Sequence, residues 1–326
     1  MKSLNLRLLR ATSLAGLIVV GAWFAVIVVV PDVSTVTVLA TALGPWIALG
    51  ALVVAIVALL SRAVMYAVIA LLVVTLSAMH FQVYPAQIFA ASNSTDTGPA
   101  FTIMSLNAYV GSAETDSLMA AIEQSDPDVV VLSEMNAPLR GRYIEAGLAV
   151  KYPYSYVVDD ETWLSGQDIW SKTPLTNTRR VPTETFPVLA AETVINGRTV
   201  DIVGVHMYSP LARRDLWAAD HAALQRFVQS HAQNSGAALV LAGDFNASRG
   251  LPPFDWVRDT GLTDAAEQTS WFFQRTSWPN DPLPLPVLSL DHVMVDEGVQ
   301  VVGAEFVSVA GTDHRGIVAH LRLAGQ

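Results

Sequence analysis

Two regimes of hydrophobic patterning divide the chain. Apolar residues run almost unbroken through about 12–30, 36–60 and 63–81, and between Ala11 and Ala91 the only charges are Asp32 and Arg62. Each run reaches the roughly 20 residues that a helix needs to cross a hydrocarbon core, which predicts three transmembrane helices. A cleaved signal peptide would account for the first run alone, but not for the two that follow. Beyond about residue 100 the apolar runs shorten to strand length: "FTIMSLN" (101–107), "DVVVLSE" (128–134), "DIVGVH" (201–206), "ALVLAGD" (238–244), "LDHVMV" (290–295) and "GIVAHL" (316–321). Helical spacing holds over 114–125 and over 211–231, where Leu216, Ala223, Leu224 and Phe227 share a face. Strands interleaved with helices predict a layered α/β domain. Between the two regimes "ASNSTDTGPA" (91–100) is small, polar and aperiodic, a linker by composition. The expected organisation is a membrane anchor over 1–90, the linker over 91–100 and one folded domain over 101–326.

The mean hydropathy of +0.40 is high for a soluble protein, and the apolar N-terminal third accounts for it. Basic flanks tend to stay cytoplasmic; Lys2, Arg7 and Arg10 precede the first run, "PDVST" after it has no base, and Arg62 lies between the second and third. Three spans that start inside finish outside, so the folded domain is expected outside the cytoplasm. Of 19 basic residues those four lie in the anchor, leaving 15; of 29 acidic residues Asp32 and Asp96 precede the domain, leaving 27 and a net charge of −12. A groove for long nucleic acid relies on clustered Lys and Arg, and this balance argues against one. The chain has no cysteine, which removes disulfides and thiolate chemistry.

Several strand-like runs end in a residue capable of chemistry: Asn107, Glu134, His206, Asp244 with Asn246, and Asp291, with Asp313 and His314 following in "GTDHRG". Each has a bland explanation by itself. Asp244 and Asn246 suit an Asx turn after a strand, Glu134 a helix cap, His206 a hydrogen-bonded core position. As a set they supply hard oxygen ligands for a divalent cation, imidazoles for a phosphoryl oxygen, and carboxylates that orient or deprotonate.

In the order "SLNAYVG", "DVVVLSEMN", "VGVHMYSP", "LAGDFNAS", "LDHVMV" and "GTDHRGIVAHL", the segments over about 100–324 resemble the endonuclease/exonuclease/phosphatase superfamily, which includes DNase I-like nucleases, sphingomyelinases and inositol polyphosphate phosphatases. "DIWSKTPL" (168–175) and "TSW" (269–271) resemble further signals of that family. The resemblance implies a four-layer α/β sandwich of the DNase I-like kind, here preceded by the three transmembrane helices. It implies that Glu134 and Asp313, with Asn107 nearby, hold Mg²⁺, with Mn²⁺ or Ca²⁺ as alternatives. Asp244 would activate water, Asn246 would help place it, His206 and His314 would donate to developing charge, and Asp291 would fix the His314 tautomer. His292 is expected to pack beside the site without a catalytic role.

The chain lacks the DNA-contacting basic loops of nuclease members, and "HMYSP" is not the usual nuclease form. The layout of three spans and an outer domain is similar to membrane-anchored members associated with glycopeptide resistance in actinobacteria, implicated in dephosphorylating prenyl pyrophosphates. The expected activity is therefore an extracytoplasmic, metal-dependent phosphohydrolase acting on a lipid-linked or small phosphate, with Arg179–Arg180 or Arg213–Arg214 as candidate phosphate clamps. An anchored nuclease is the alternative within enzymes, and a catalytically silent binding domain the alternative outside them.

Overall fold

A computed structural model describes residues 2–88, 98, 100–158, 166–281 and 285–325. The chain divides into two compact units, Met1–Tyr84 with Arg249–Pro252, and Pro85–Ser248 with Pro253–Gln326. The linker assigned to 91–100 lies outside the described residues save for 98 and 100.

The first unit is helical: α1 (Lys2–Val29), α2 (Thr35–Ala42), α3 (Pro45–Leu60) and α4 (Val64–His80). Where the apolar run of 36–60 predicts one helix, the structure has two, bent by 65°. Pro45 has no N–H to give and its ring crowds the preceding turn, so α2 ends and α3 begins with proline in its first turn. Among the described residues only Asn5–Val29 forms a helix long and apolar enough to cross a membrane unaided; α2 with α3 passes as a bent pair, and α4 stops at 17 residues. Small residues line the packed faces, Ala51, Ala55 and Ala58 on α3 and Ala67 and Ala70 on α4, while Val53, Ile56, Val68 and Leu72 remain exposed.

The second unit contains two six-stranded sheets. One is built from β1 (Ala100–Asn107), β2 (Val129–Met135), β3 (Tyr154–Val158), β4 (Gly166–Ser171), β11 (Val299–Ser308) and β12 (Arg315–Leu323), in the order β11-β12-β1-β2-β4-β3. The other holds β5 (Thr176–Val181), β6 (Val188–Ile195), β7 (Arg198–His206), β8 (Ala238–Asp244), β9 (Thr263–Asp264) and β10 (Asp291–Val295), in the order β5-β6-β7-β8-β10-β9. Each sheet has one parallel pair at its centre, β1 with β2 and β7 with β8. A parallel pair needs a crossover. Helix α5 (Thr115–Ser125) supplies the first and α8 (Arg214–Asn234) the second. With α6 (Ala137–Glu145) and α7 (Leu148–Lys151), α5 buries Leu118, Ile122, Leu139, Tyr143 and Leu148 against the outer face of the first sheet. Trp217, Leu224 and Val228 are among the buried positions of α8. The remaining helices, α9 (Pro252–Asp259) and α10 (Ala265–Thr269), follow β8.

Alternation along the strands explains where polar chemistry collects. Phe101 and Ile103, Val129 and Val131, Val200 and Ile202, Val240 and Ala242, and Val293 and Val295 form the apolar layer between the sheets. Continuing each strand two residues at a time on the same face reaches Asn107, Ser133, His206, Asp244 and Asp291. The central parallel strands deliver their carboxyl ends to one edge. Their antiparallel neighbours β10 and β12 begin at that edge, Asp291 lying opposite Asp244 and Ile317 opposite Ser105.

Candidate active site

Three local departures from regular strand geometry aim the side chains. A simple alternation would turn Glu134 toward the outer helices with Val130 and Leu132. The register of β2 shifts between Ser133 and Met135, and Glu134 takes φ +54°, a bulge that redirects its carboxylate. At the end of β8 a Cβ on Gly243 would lie 1.9 Å from the Val205 carbonyl oxygen, so only glycine lets β7 and β8 approach this closely. Asn246 then adopts φ +48°. Its N–H donates to Asp244 Oδ1 at 2.7 Å, an Asx turn, and its Nδ2 donates to Asp244 Oδ2 at 3.1 Å and to the Met207 carbonyl at 3.0 Å. Turn and site are the same structure: the asparagine braces the aspartate.

Asn107 bridges two carboxylates, its Nδ2 donating to Glu134 Oε1 at 2.9 Å and to Asp244 Oδ2 at 3.1 Å, while its Oδ1 accepts from the Tyr109 N–H at 2.9 Å. Glu134 Oε2 accepts from the Val110 N–H at 2.9 Å, and burial raises the pKa of this carboxyl despite those donors. His206 Nε2 stands 3.5 Å from Glu134 Oε1. Burial pushes the His206 pKa down to about 4, so the ring is neutral near pH 7.

His314 Nδ1 is 2.8 Å from Asp291 Oδ2, and its Nε2 is 3.8 Å from Asp244 Oδ2 and 3.9 Å from Asp313 Oδ1. Burial opposes its charge, yet Asp291 and Asp244 outweigh burial and push its pKa up to about 10. Asp244 moves the other way from most carboxylates, raised by burial to about 6. The eight residues singled out in the sequence therefore converge within one network. His292 is not part of it: its Nδ1 lies 2.6 Å from Asp264 Oδ2 and its Nε2 2.9 Å from the Ala247 carbonyl, beneath the "GDFN" loop.

Among the described residues, Asp244, Asp291 and His314 bring three carboxylate and imidazole ligand atoms within 4.8 Å of one another. In that group His314 already carries its proton between two carboxylates and offsets one of their two charges. Glu134 and Asp313 fit a cation better. Asp313 Oδ1 is buried with no hydrogen-bond partner, the Glu134 carboxylate is half-buried with its pKa raised by desolvation, and both are hard oxygen donors.

One segment that matters here is easily misplaced in the sequence, because "TSW" occurs twice. Trp271 of the first copy is 53 % exposed. The second copy, Thr276–Ser277–Trp278, braces the site: Trp278 Nε1 donates to Asp313 Oδ2 at 2.9 Å, and Ser277 Oγ accepts the Asp291 N–H at 3.1 Å. The family signal assigned to 269–271 is thus better placed at 276–278, and its distance of thirteen residues from Asp291 was the available clue. The arginine clamps also need correction. Arg179 is bound to Asp201 and lies over the Phe227 ring, while Arg213 is held by Asp215 at 2.6 Å.

Two facing mixed sheets with carboxylates and histidines gathered at one edge define a DNase I-like α/β sandwich. The chain belongs to the Endonuclease/Exonuclease/phosphatase family, which residues 104–314, more than half of its length, match. Its fold is similar to that of an endonuclease/exonuclease/phosphatase from Beutenbergia cavernae DSM 12333, with TM-score 0.56 and 21% identity over 70% of this chain and 72% of that one. It is also similar to D. rerio TDP2 complexed with single strand DNA product, with TM-score 0.54 and 17% identity over 68% of this chain and 99% of that one. The human Nocturnin catalytic domain with bound sulfate anion gives TM-score 0.55 and 15% identity over 71% and 96%. No curated protein matches the sequence.

Proposed function

We propose that the protein is a membrane-anchored, metal-dependent phosphohydrolase whose substrate is a lipid-linked or small phosphate ester or anhydride outside the cytoplasm. The observation that carries the catalytic part is the pairing of a buried aspartate raised to about 6 with a buried histidine raised to about 10 and within 3.8 Å of it. Asp244 is a base matched to neutral pH, fixed by Asn246 and Asn107, and able to take a proton from an attacking water. His314, charged and held by Asp291, donates from Nε2 to a phosphoryl oxygen, and neutral His206 donates from its own Nε2. Glu134 and Asp313, with Asn107 beside them, are the residues to hold Mg²⁺. Such an ion neutralises charge on a phosphate oxygen and on the leaving group.

Anchoring is supported by three apolar helices, α1, α3 and α4, that keep large aliphatic side chains exposed, α3 and α4 packing through alanines, a distribution suited to lipid. At about 1.5 Å per residue α3 and α4 measure roughly 24 and 26 Å, close to the hydrocarbon thickness of ~30 Å with modest mismatch. The Lys and Arg flanks support an inside N-terminus. Against long nucleic acid stands the domain charge of −12. The decisive experiment compares a prenyl pyrophosphate, a phospholipid, bis-p-nitrophenyl phosphate and single- and double-stranded DNA on the purified full chain, with Mg²⁺ and with EDTA. Metal-dependent phosphate release from the lipid-linked substrate is expected to dominate; efficient DNA cleavage without it would establish the nuclease reading instead.

A further inference from the structure

Four buried histidines surround the "GDFN" loop, and three are oriented by hydrogen bonds. His314 has Asp291, His292 has Asp264 and the Ala247 carbonyl, and His221 lies 3.0 Å from the Phe245 carbonyl and accepts from Trp256 Nε1 at 3.3 Å. His206 differs. Its Nδ1 is buried with no hydrogen-bond partner, so no carboxylate or carbonyl fixes the ring from behind. An unconstrained imidazole can swing about two side-chain torsions, and a donor so held would lose alignment with the phosphoryl oxygen it serves.

What fixes the ring is a stack. Phe186 lies over the imidazole with centroids 4.5 Å apart and planes 15° from parallel, and Tyr208 continues the stack on Phe186 at 5.2 Å and 28°. Phe186 stands on the segment between β5 and β6, and that segment is itself tied down. Thr183 Oγ1 donates to the Phe186 carbonyl at 2.8 Å, the Glu184 N–H donates to Asp220 Oδ1 at 2.7 Å, and Thr185 Oγ1 donates to Asp220 Oδ2. Asp220 is a buried residue of α8, so the segment that carries Phe186 is tied to the crossover helix.

We propose that Phe186 is a positioning residue for phosphoryl transfer, orienting His206 by stacking as Asp291 orients His314 by hydrogen bonding. This inference rests on the phosphohydrolase reading. Nδ1 has no hydrogen-bond partner and Nε2 stands 3.5 Å from Glu134 Oε1, so the Phe186 plate is what holds the Nε2 edge of the ring toward the reacting centre.

The full chain in detergent is tested as wild type and as Phe186→Ala, Phe186→Leu and Phe186→Tyr, with bis-p-nitrophenyl phosphate and Mg²⁺. An independent readout is the NMR shift of the His206 ring protons in isotopically labelled protein, identified by their loss in His206→Gln. A stacked ring displaces them upfield in the wild type and in Phe186→Tyr but not in Phe186→Ala. Turnover should fall by about tenfold in Phe186→Ala and Phe186→Leu with KM little changed, the sign of an interaction realised in the transition state, and Phe186→Tyr should restore it. Full activity in Phe186→Leu, or a rise in KM at unchanged kcat, overturns the proposal, since packing volume or substrate contact would then explain the residue. An active wild type without the upfield shift overturns it as well and leaves the phosphohydrolase reading standing. A wild type that shows the shift but hydrolyses no member of the substrate panel removes that reading, and this inference with it.

Discussion

Asp244, His314 and Trp278 show how much at this site depends on what touches each side chain. Asp244 accepts from Asn107 and from both the N–H and Nδ2 of Asn246, and Asp244→Asn removes the base while keeping its volume. His314→Ala removes the charged donor. Each should lower kcat by about 100-fold or more, roughly 2.7 kcal/mol at 1.36 kcal/mol per tenfold, in protein whose circular dichroism is unchanged. Steady-state kinetics on folded variants provide the check, and retention of most of the wild-type rate would remove these roles. Trp278 acts one step back. Its indole occupies Asp313 Oδ2 and leaves Oδ1 for a cation, so Trp278→Phe should weaken Mn²⁺ binding by about tenfold in calorimetry, as loss of a partner behind a metal ligand typically does.

Elements deliver these residues by two devices, the close approach of β7 to β8 and the buried ion pair beneath the loop that follows. Because a Cβ on Gly243 would overlap the Val205 carbonyl at 1.9 Å, Gly243→Ala should break the parallel pairing and sharply reduce the yield of folded protein. Gly141→Ala is the control, since nothing lies within 4 Å of its added carbon and it sits in α6. Under the loop, burial alone would lower the His292 pKa, but the Asp264 carboxylate and the Ala247 carbonyl, with Glu267 nearby, raise it above its ordinary value. A folded-state value above the unfolded one contributes stability that is complete below about pH 6.5 and is lost as pH rises through the folded value. The melting temperature should therefore decline above pH 6.5, and this component of the decline should be absent in His292→Gln. A thermal-melt series of both proteins across pH 6 to 9 tests it.

Across the whole molecule, the prediction concerns sidedness. On the proposed anchored reading, Lys2, Arg7, Arg10 and Arg62 favour one membrane face, and three spans would bring the second unit out on the other. A reporter that functions only in the cytoplasm, fused after Gln326, should be silent in cells that express the chain at normal levels. A bright reporter would mean that the bent α2–α3 pair turns back within the membrane instead of crossing it, leaving two crossings.

Patterning by itself determined a good deal, because the physics involved is local. The strands later numbered β1, β2, β7, β8, β10 and β12 were visible as short apolar runs, since burial between sheet and helix demands apolar residues in sequence. So were the apolar character of the N-terminal unit and the polar residues at the strand ends. Strands β5 and β11 were not visible: "TNTRRV" and "VQVVGAEFVS" are edge strands with mixed exposure, each paired on one side only, with the next strand of the chain, so neither needs an unbroken apolar run. Tertiary structure alone decided the rest. Only the β2 bulge turns Glu134 inward, only the chain path shows which "TSW" reaches Asp313, and only packing reveals Phe186 against His206 from a segment that carries no chemical signature. Pro45 was in plain view, yet length and hydropathy count apolar residues without regard to backbone hydrogen bonds, and it is the missing N–H that breaks that helix. Residue type is written in the sequence; distance and direction arise when segments far apart in the chain are brought to one edge of two sheets.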